Sequence, residues 1–232
     1  MRTIGRQSGF TLVEIAIVLV IIGLLLGGIL KGQEMITQAR IKNIVNDFNG
    51  ITAAYFSYQD RYRAIPGDDR GAFDRWGTAY GAQNGDQDSV LGENGKGYNN
   101  PALAPLEPTK SSVTPIAPKD ENTNFWQHMR IAGFVGGPNQ GSGSTSQPTN
   151  VVGGQIGVQT GGLGLNGLIV CSANVPDKIA AAVDTQLDDQ RSASGTLHGM
   201  KQGDGTTNPA TGTADTNYVE DGKTQYLLCR GI

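Results

Sequence analysis

"GFTLVEIAIVLVIIGLLLGGIL", residues 9–30, decides how the rest of the chain is read. Between residues 10 and 30 only Thr11 and Glu14 carry polar side chains. As a helix rising about 1.5 Å per residue, this stretch covers roughly 31 Å, enough to cross the hydrocarbon core of a bilayer. A carboxylate inside such a segment is costly unless it sits at the aqueous edge or is paired. Glu14 therefore calls for one of two settings: the membrane edge, or a partner contributed from outside this chain.

The chain beyond the apolar run is long enough to bury a core of its own. Glycine is abundant, 34 of 232 residues, and aromatic residues make up only 6 %, a composition that predicts a loop-rich domain with short elements. The formal charge is −3, and loss of a leader carrying Arg2 and Arg6 would make it more negative. No basic stretch stands out, so no nucleic-acid partner is predicted. The two cysteines, Cys171 and Cys229, form no C-x-x-C pair, and only His128 and His198 could join them as soft metal ligands. That spacing argues against zinc; in an exported domain the expected use of two such cysteines is one disulfide.

Three readings compete for the N-terminal segment. A secretory signal peptide has a shorter apolar core followed by a small-residue cleavage site, and neither is present. A plain signal anchor fits the length but gives Glu14 no role. Flanking charge does not orient the segment, because Arg2 and Arg6 precede it while Lys31, Arg40 and Lys42 come after it. The third reading uses every feature. "RQSGFTLVEIAIVLVIIGLL", residues 6–25, resembles the prepilin leader of type IV pilins and type II secretion pseudopilins. In that family a short basic leader ends in glycine and is removed on the cytoplasmic side. The next residue, usually phenylalanine, becomes N-methylated, and glutamate is the fifth mature residue. Gly9, Phe10 and Glu14 occupy those positions. The resemblance implies a partner for Glu14: cleavage creates an α-amine on Phe10, and the Phe10 amine of one subunit meets Glu14 of a neighbour in the filament. A buried pair of this kind sets register more than it adds stability. Snorkelling of Glu14 to the membrane edge is the alternative for the chain before assembly.

The helical pattern continues past the apolar run. Ile41, Ile44, Phe48, Ile51, Tyr55, Tyr58 and Tyr62 recur at spacings of three and four, one face of a helix with charges and amides between. One helix is thus predicted over residues 10–62, its first half apolar all round and its second half amphipathic, with the aromatic stripe as core. Gly23, Gly27, Gly28 and Gly32 weaken its middle. "AIPGDD", residues 64–69, ends it, because Pro66 disfavours helix at Ile65 and Pro-Gly starts a turn. Short helices are predicted in "DDRGAFDRWG" (68–77) and "NFWQHMRIAGFVGG" (124–137), with His128 as a structural or surface residue. After the low-complexity stretch 139–150 come four strand-like segments: "VVGGQIGVQ", "GLIVCS", "SGTLHGM" and "KTQYLLCR". Between the second and third, "VPDKIAAAVDTQLDD" reads as a helix with Pro176 in its first turn. The Asp-rich end of that helix is similar to the heads of some larger pilin-like proteins; where those carry glycine after the paired aspartates, this chain has Gln190.

Few motifs suggest catalysis. "GLGLNG", residues 162–167, matches G-x-G-x-x-G, but a strand-like segment comes after it instead of a helix, which predicts a glycine-rich turn. No G-x-S-x-G elbow is present. "NGDQDSVLGEN", residues 84–94, places Asp86, Asp88 and Glu93 in one short loop, as hard oxygen ligands for Ca²⁺ would be placed. The loop does not match the EF-hand spacing, and a solvated acidic loop is the plain alternative. Some pseudopilins bind calcium through a loop in the head, which keeps calcium as the one candidate cofactor.

Together the pattern and the resemblance predict an α+β, type IV pilin-like fold: a long N-terminal helix packed on a small antiparallel sheet, with a large loop-rich head. The expected organisation is a cleaved leader at 1–9, a membrane or filament-core half-helix at 10–31, an amphipathic half-helix at 32–62 and a globular head at 63–232. The function implied is structural, not enzymatic: a subunit of a type IV pilus-like filament, with a pseudopilin of type II secretion, or a membrane-anchored exported binding domain, as alternatives. The partners implied are prepilin peptidase, other pilin subunits, an inner-membrane assembly platform and lipid. The chain is expected in the inner membrane with a single span before assembly, and then in a pilus or a periplasmic pseudopilus, its head in the periplasm or outside the cell. Such export places Cys171 and Cys229 in an oxidising compartment, where they are expected to pair; two free buried thiols in neighbouring strands are the alternative.

Overall fold

Helix α1 runs unbroken over Leu12–Tyr62. The computed structural model describes residues 11–92, 121–141, 143–202 and 213–232, and the chain divides into two compact units, Met1–Ala39 and Arg40–Ile232. In the first unit the helix is exposed along nearly all of its described length. In the second it buries Ile41, Ile44, Phe48, Ile51, Ala54, Tyr55 and Tyr58, the face given by the three-and-four spacing, and Tyr62 lies at its margin. The helix stops just before the Ile65-Pro66 pair: Arg63 turns to a left-handed φ of 54°, and Gly67, at φ 93°, takes a turn that only glycine adopts without strain.

Among the described residues the remaining helices are short: α2 (Ala72–Tyr80), α3 (Glu121–Ile131) and α4 (Asp177–Leu187). The described strands are β1 (Ile156–Gly162), β2 (Leu165–Pro176), β3 (Leu197–Lys201) and β4 (Gln225–Gly231). They form one antiparallel sheet in the order β1-β2-β4-β3. The long N-terminal helix and the small antiparallel sheet make this the α+β, pilin-like architecture expected. "GLGLNG" is the β1–β2 hairpin, with Leu163 and Gly164 at its tip at φ 53° and 85°. Pro176 stands one position outside α4, as its N-cap, so it precedes the first turn.

Side chains alternate across the sheet. Tyr226 and Leu228 of β4 enter the main core, with α1, Phe125, Trp126 and Met129 of α3, and Ile179, Ala180 and Val183 of α4. Leu227 and Cys229 point to the other face, into a smaller cluster with Ile169, Cys171, Ala173 and Met200. In β2 the alternation is shifted by a bulge between Ser172 and Val175, with Asn174 at φ 56°. The extra residue turns Val175 into the main core, whereas Ala173 lies in the smaller cluster. Cys171 and Cys229 face each other across β2 and β4 and are joined as a disulfide.

Candidate functional site

Two regions collect groups beyond what packing requires: a carboxylate cluster in the head and the start of α1.

The cluster is assembled by the turn after α1. Pro66 and Gly67 stop the helix and leave Asp68 and Asp69 side by side, 3 % and 2 % exposed. Asp69 is compensated: it accepts from the Tyr58 hydroxyl at 2.6 Å and the Gly71 N–H at 2.9 Å, and it pairs with Arg75. Asp68 faces the other way and accepts from the N–H groups of Gln87 and Ser89, the latter at 2.8 Å. These bonds draw the 85–89 loop onto the turn. Gly85 comes so close that a Cβ there would sit 2.2 Å from Asp68 Cα and 2.8 Å from Glu121 Oε1. Glu121, the first residue of α3 and fully buried, accepts the Asp86 N–H on Oε1 at 3.0 Å. Its Oε2 has no partner. Asp68, Asp86, Asp88 and Glu121 thus each offer a carboxylate oxygen within 4.8 Å of the other three. Burial, reinforced by the neighbouring aspartates, pushes the Glu121 carboxyl up to about 8. Burial also raises Asp68, against the pull of the two backbone N–H groups.

The structure therefore brings together Asp86 and Asp88, two of the three residues expected from the loop, whereas Glu93 lies outside the described residues. Sequence reading missed Asp68 and Glu121. Asp68 had a signal in the Pro-Gly-Asp-Asp turn; Glu121 had none, because its place in the cluster comes from the packing of α3.

A second acidic group, Asp184, Asp188 and Asp189, closes the end of α4. Its carboxylates are engaged locally. Asp184 accepts from the Tyr218 hydroxyl at 2.7 Å and the Gln190 N–H at 3.1 Å. Asp188 accepts from the Thr196 and Leu197 N–H groups, and Asp189 from the Arg191 N–H and the Ser194 hydroxyl. This group holds the loop between α4 and β3. Gln190 adopts a left-handed φ of 66°, a backbone conformation that glycine would suit. His128 is a structural residue: fully buried, it accepts the Gly67 N–H on Nδ1 and so donates from Nε2 to the Gln83 carbonyl.

At the start of α1, Glu14 finds a partner within the chain. Its Oε2 accepts from the Thr11 N–H and the Thr11 hydroxyl, both at 2.8 Å, while the Thr11 hydroxyl oxygen accepts the Glu14 N–H at 3.2 Å. This is a capping box, with Thr11 as N-cap and Glu14 as the third helical residue. The T-x-x-E spacing in "FTLVEI" carries it, and a reading centred on the apolar run passed over it. Beyond Glu14 the large apolar residues are exposed, Leu24 at 73 % and Leu30 at 68 %, as is Leu12 before it at 91 %. Among the described residues α1 is the one helix long and apolar enough to cross a membrane. Gly9 and Phe10 lie outside the described residues.

Residues 4–30 match the model of the prokaryotic N-terminal methylation motif. The chain carries the type IV pilin and pseudopilin signal. No curated protein and no solved structure matches the chain. The signal takes in Gly9, Phe10, the Thr11–Glu14 capping box and the exposed apolar residues up to Leu30. The carboxylate cluster, the sheet and the disulfide all lie outside the matched residues.

Proposed function

We propose that this protein is a structural subunit of a type IV pilus-like filament. Prepilin peptidase cuts between Gly9 and Phe10, residues 10–31 hold the chain in the inner membrane, and assembly draws that apolar half-helix into the filament core beside other subunits. The observation that carries this reading is the methylation motif over residues 4–30, joined to an apolar helix whose side chains are left exposed.

The capping box gives Glu14 two successive roles. Before assembly its carboxylate is occupied by Thr11 and terminates the helix locally. In the filament the free amine of a neighbouring Phe10 competes for the same oxygens and adds a charge that Thr11 lacks. Glu14→Gln separates the roles, since an amide oxygen still accepts the Thr11 N–H but carries no charge. The expected result is a variant that inserts and is processed normally, yet enters filaments poorly. Incorporation equal to that of the native chain would exclude the charge pair. Mass spectrometry of the mature chain tests processing itself: the expected N-terminus is methylated Phe10, and Gly9→Val leaves the leader attached. An intact Met1 in the native protein, or a cut after residue 30, overturns the reading.

A further inference from the structure

Asp68 and Asp69 are adjacent and equally buried, yet their charges are met differently. Asp69 has a guanidinium, a phenol and a backbone N–H. Asp68 has two backbone N–H groups, Glu121 has one, and Glu121 Oε2 has none. Among the described residues no lysine or arginine pairs with Asp68, Asp86, Asp88 or Glu121. Four carboxylates converging without a cation repel one another, and a buried carboxylate oxygen without a partner is a high-energy group.

We propose that Asp68, Asp86, Asp88 and Glu121 form a binding site for one divalent hard cation, with Ca²⁺ preferred, that fastens together the turn after α1, the 85–89 loop and the start of α3. The donor set is all oxygen, which selects Ca²⁺ or Mg²⁺ over zinc, copper or iron. The origin of the ligands favours Ca²⁺: carboxylates drawn from a turn, a loop and a helix start make an irregular shell, which calcium accepts, whereas magnesium demands a near-ideal octahedron. The four ligand oxygens fall within 4.8 Å of one another. The unpartnered Glu121 Oε2 is the atom such an ion would satisfy. Asp68 also lines a cleft of about 470 Å³, together with Arg63, Gln87 and Ser89, and Asp88 is exposed. The site lies within the second compact unit, so the proposal does not depend on filament assembly.

The test uses the full-length chain purified in detergent and stripped with EDTA. Equilibrium dialysis against CaCl₂ with metal analysis is expected to give one calcium per chain. Thermal unfolding in 1 mM CaCl₂ is expected to rise by about 5 °C or more over EDTA, with a smaller rise in MgCl₂. Asp86→Asn with Asp88→Asn alters the two less buried ligands and keeps their size, so the fold is retained; calcium affinity is expected to drop by about tenfold or more. Asp188→Asn with Asp189→Asn, in the other acidic group, is expected to leave it unchanged. No bound calcium and no shift at millimolar concentration in the native chain overturns the proposal. So does binding that survives the Asp86/Asp88 substitution or disappears with the Asp188/Asp189 one.

Discussion

Helix α1 is one element in two environments. Both halves are regular helix and both carry large apolar residues, but Ile17 and Leu24 are 55 % and 73 % exposed, whereas Ile44 and Phe48 are 0 % and 2 % exposed. The difference lies in pattern. In the first half apolar residues surround the axis, so no single face of the same chain could bury them all; in the second they form a stripe that α3, α4 and the sheet cover. The distribution of apolar residues around a helix thus tells whether its partner is internal or must come from a bilayer or from other subunits.

The strongest way to break this comparison is to make the same deletion in each half. Phe48→Ala is expected to lower the unfolding free energy of the head by about 3–5 kcal/mol in denaturant titration. Ile17→Ala is expected to change it by less than about 0.5 kcal/mol. A comparable loss from both would erase the distinction.

The surface that receives the buried half can be loosened from behind. The Cys171–Cys229 bridge lies in the smaller cluster, on the face of the sheet away from the main core, and closes a sequence separation of 58 residues. Cys229→Ser is expected to reduce stability by up to about 4 kcal/mol in non-reducing denaturant titration. Leader removal, which depends on the apolar half, should proceed as in the native chain. Thiol labelling on unfolding supplies the matching check, since native protein without reductant should expose no reactive thiol.

Acid pH sharpens the comparison further. Tyr58, on the buried face, stacks on His128 with ring planes 9° apart. Burial pushes the His128 imidazole down to about 4, against the opposing charge of Asp69, with Arg75 adding to the depression. An unfolded histidine titrates near 6.5, so between pH 6.5 and 4 the unfolded chain binds the extra proton. The contribution of neutral His128 is therefore fully present above pH 6.5 and lost as pH falls towards 4. His128→Gln is expected to flatten that part of the stability profile, measured as the difference from native protein at each pH. Identical profiles would remove His128 as the cause.

The smallest effect is local. Gln190→Gly relieves a left-handed backbone at the end of α4 and is expected to stabilise the head by about 1 kcal/mol, seen as a modest rise in melting temperature. A loss would mean that the Gln190 side chain contributes more than its backbone strain costs.

Much of this architecture was legible in the residues because it rests on short-range rules. Periodicity placed α1 and its buried face, Pro66 placed its end, and all four strands were marked by their apolar segments. Glu14 was found through its place in the apolar run, while its local partner Thr11 was missed although its spacing was in plain view. The carboxylate cluster was half legible. Asp86 and Asp88 are neighbours in one loop, but Asp68 and Glu121 reach them only after the turn at Gly67 and the packing of α3. No sequence period records a contact made across such separations. The bulge at Asn174 was invisible for the same reason: it answers the pairing of β2 with β4, which local pattern does not contain.

The strand order sets a timetable for folding. β4, residues 225–231, comes last in order among the described strands, yet it lies inside the sheet, hydrogen-bonded to β2 on one side and β3 on the other. Until it docks, β3 has no neighbour in the sheet and Cys171 lacks the thiol it bonds. The incomplete head presents an open hairpin edge and a bare apolar surface, both prone to pairing with other chains. Docking of those seven residues is the single step that fills the sheet, covers its apolar face and brings the two thiols together.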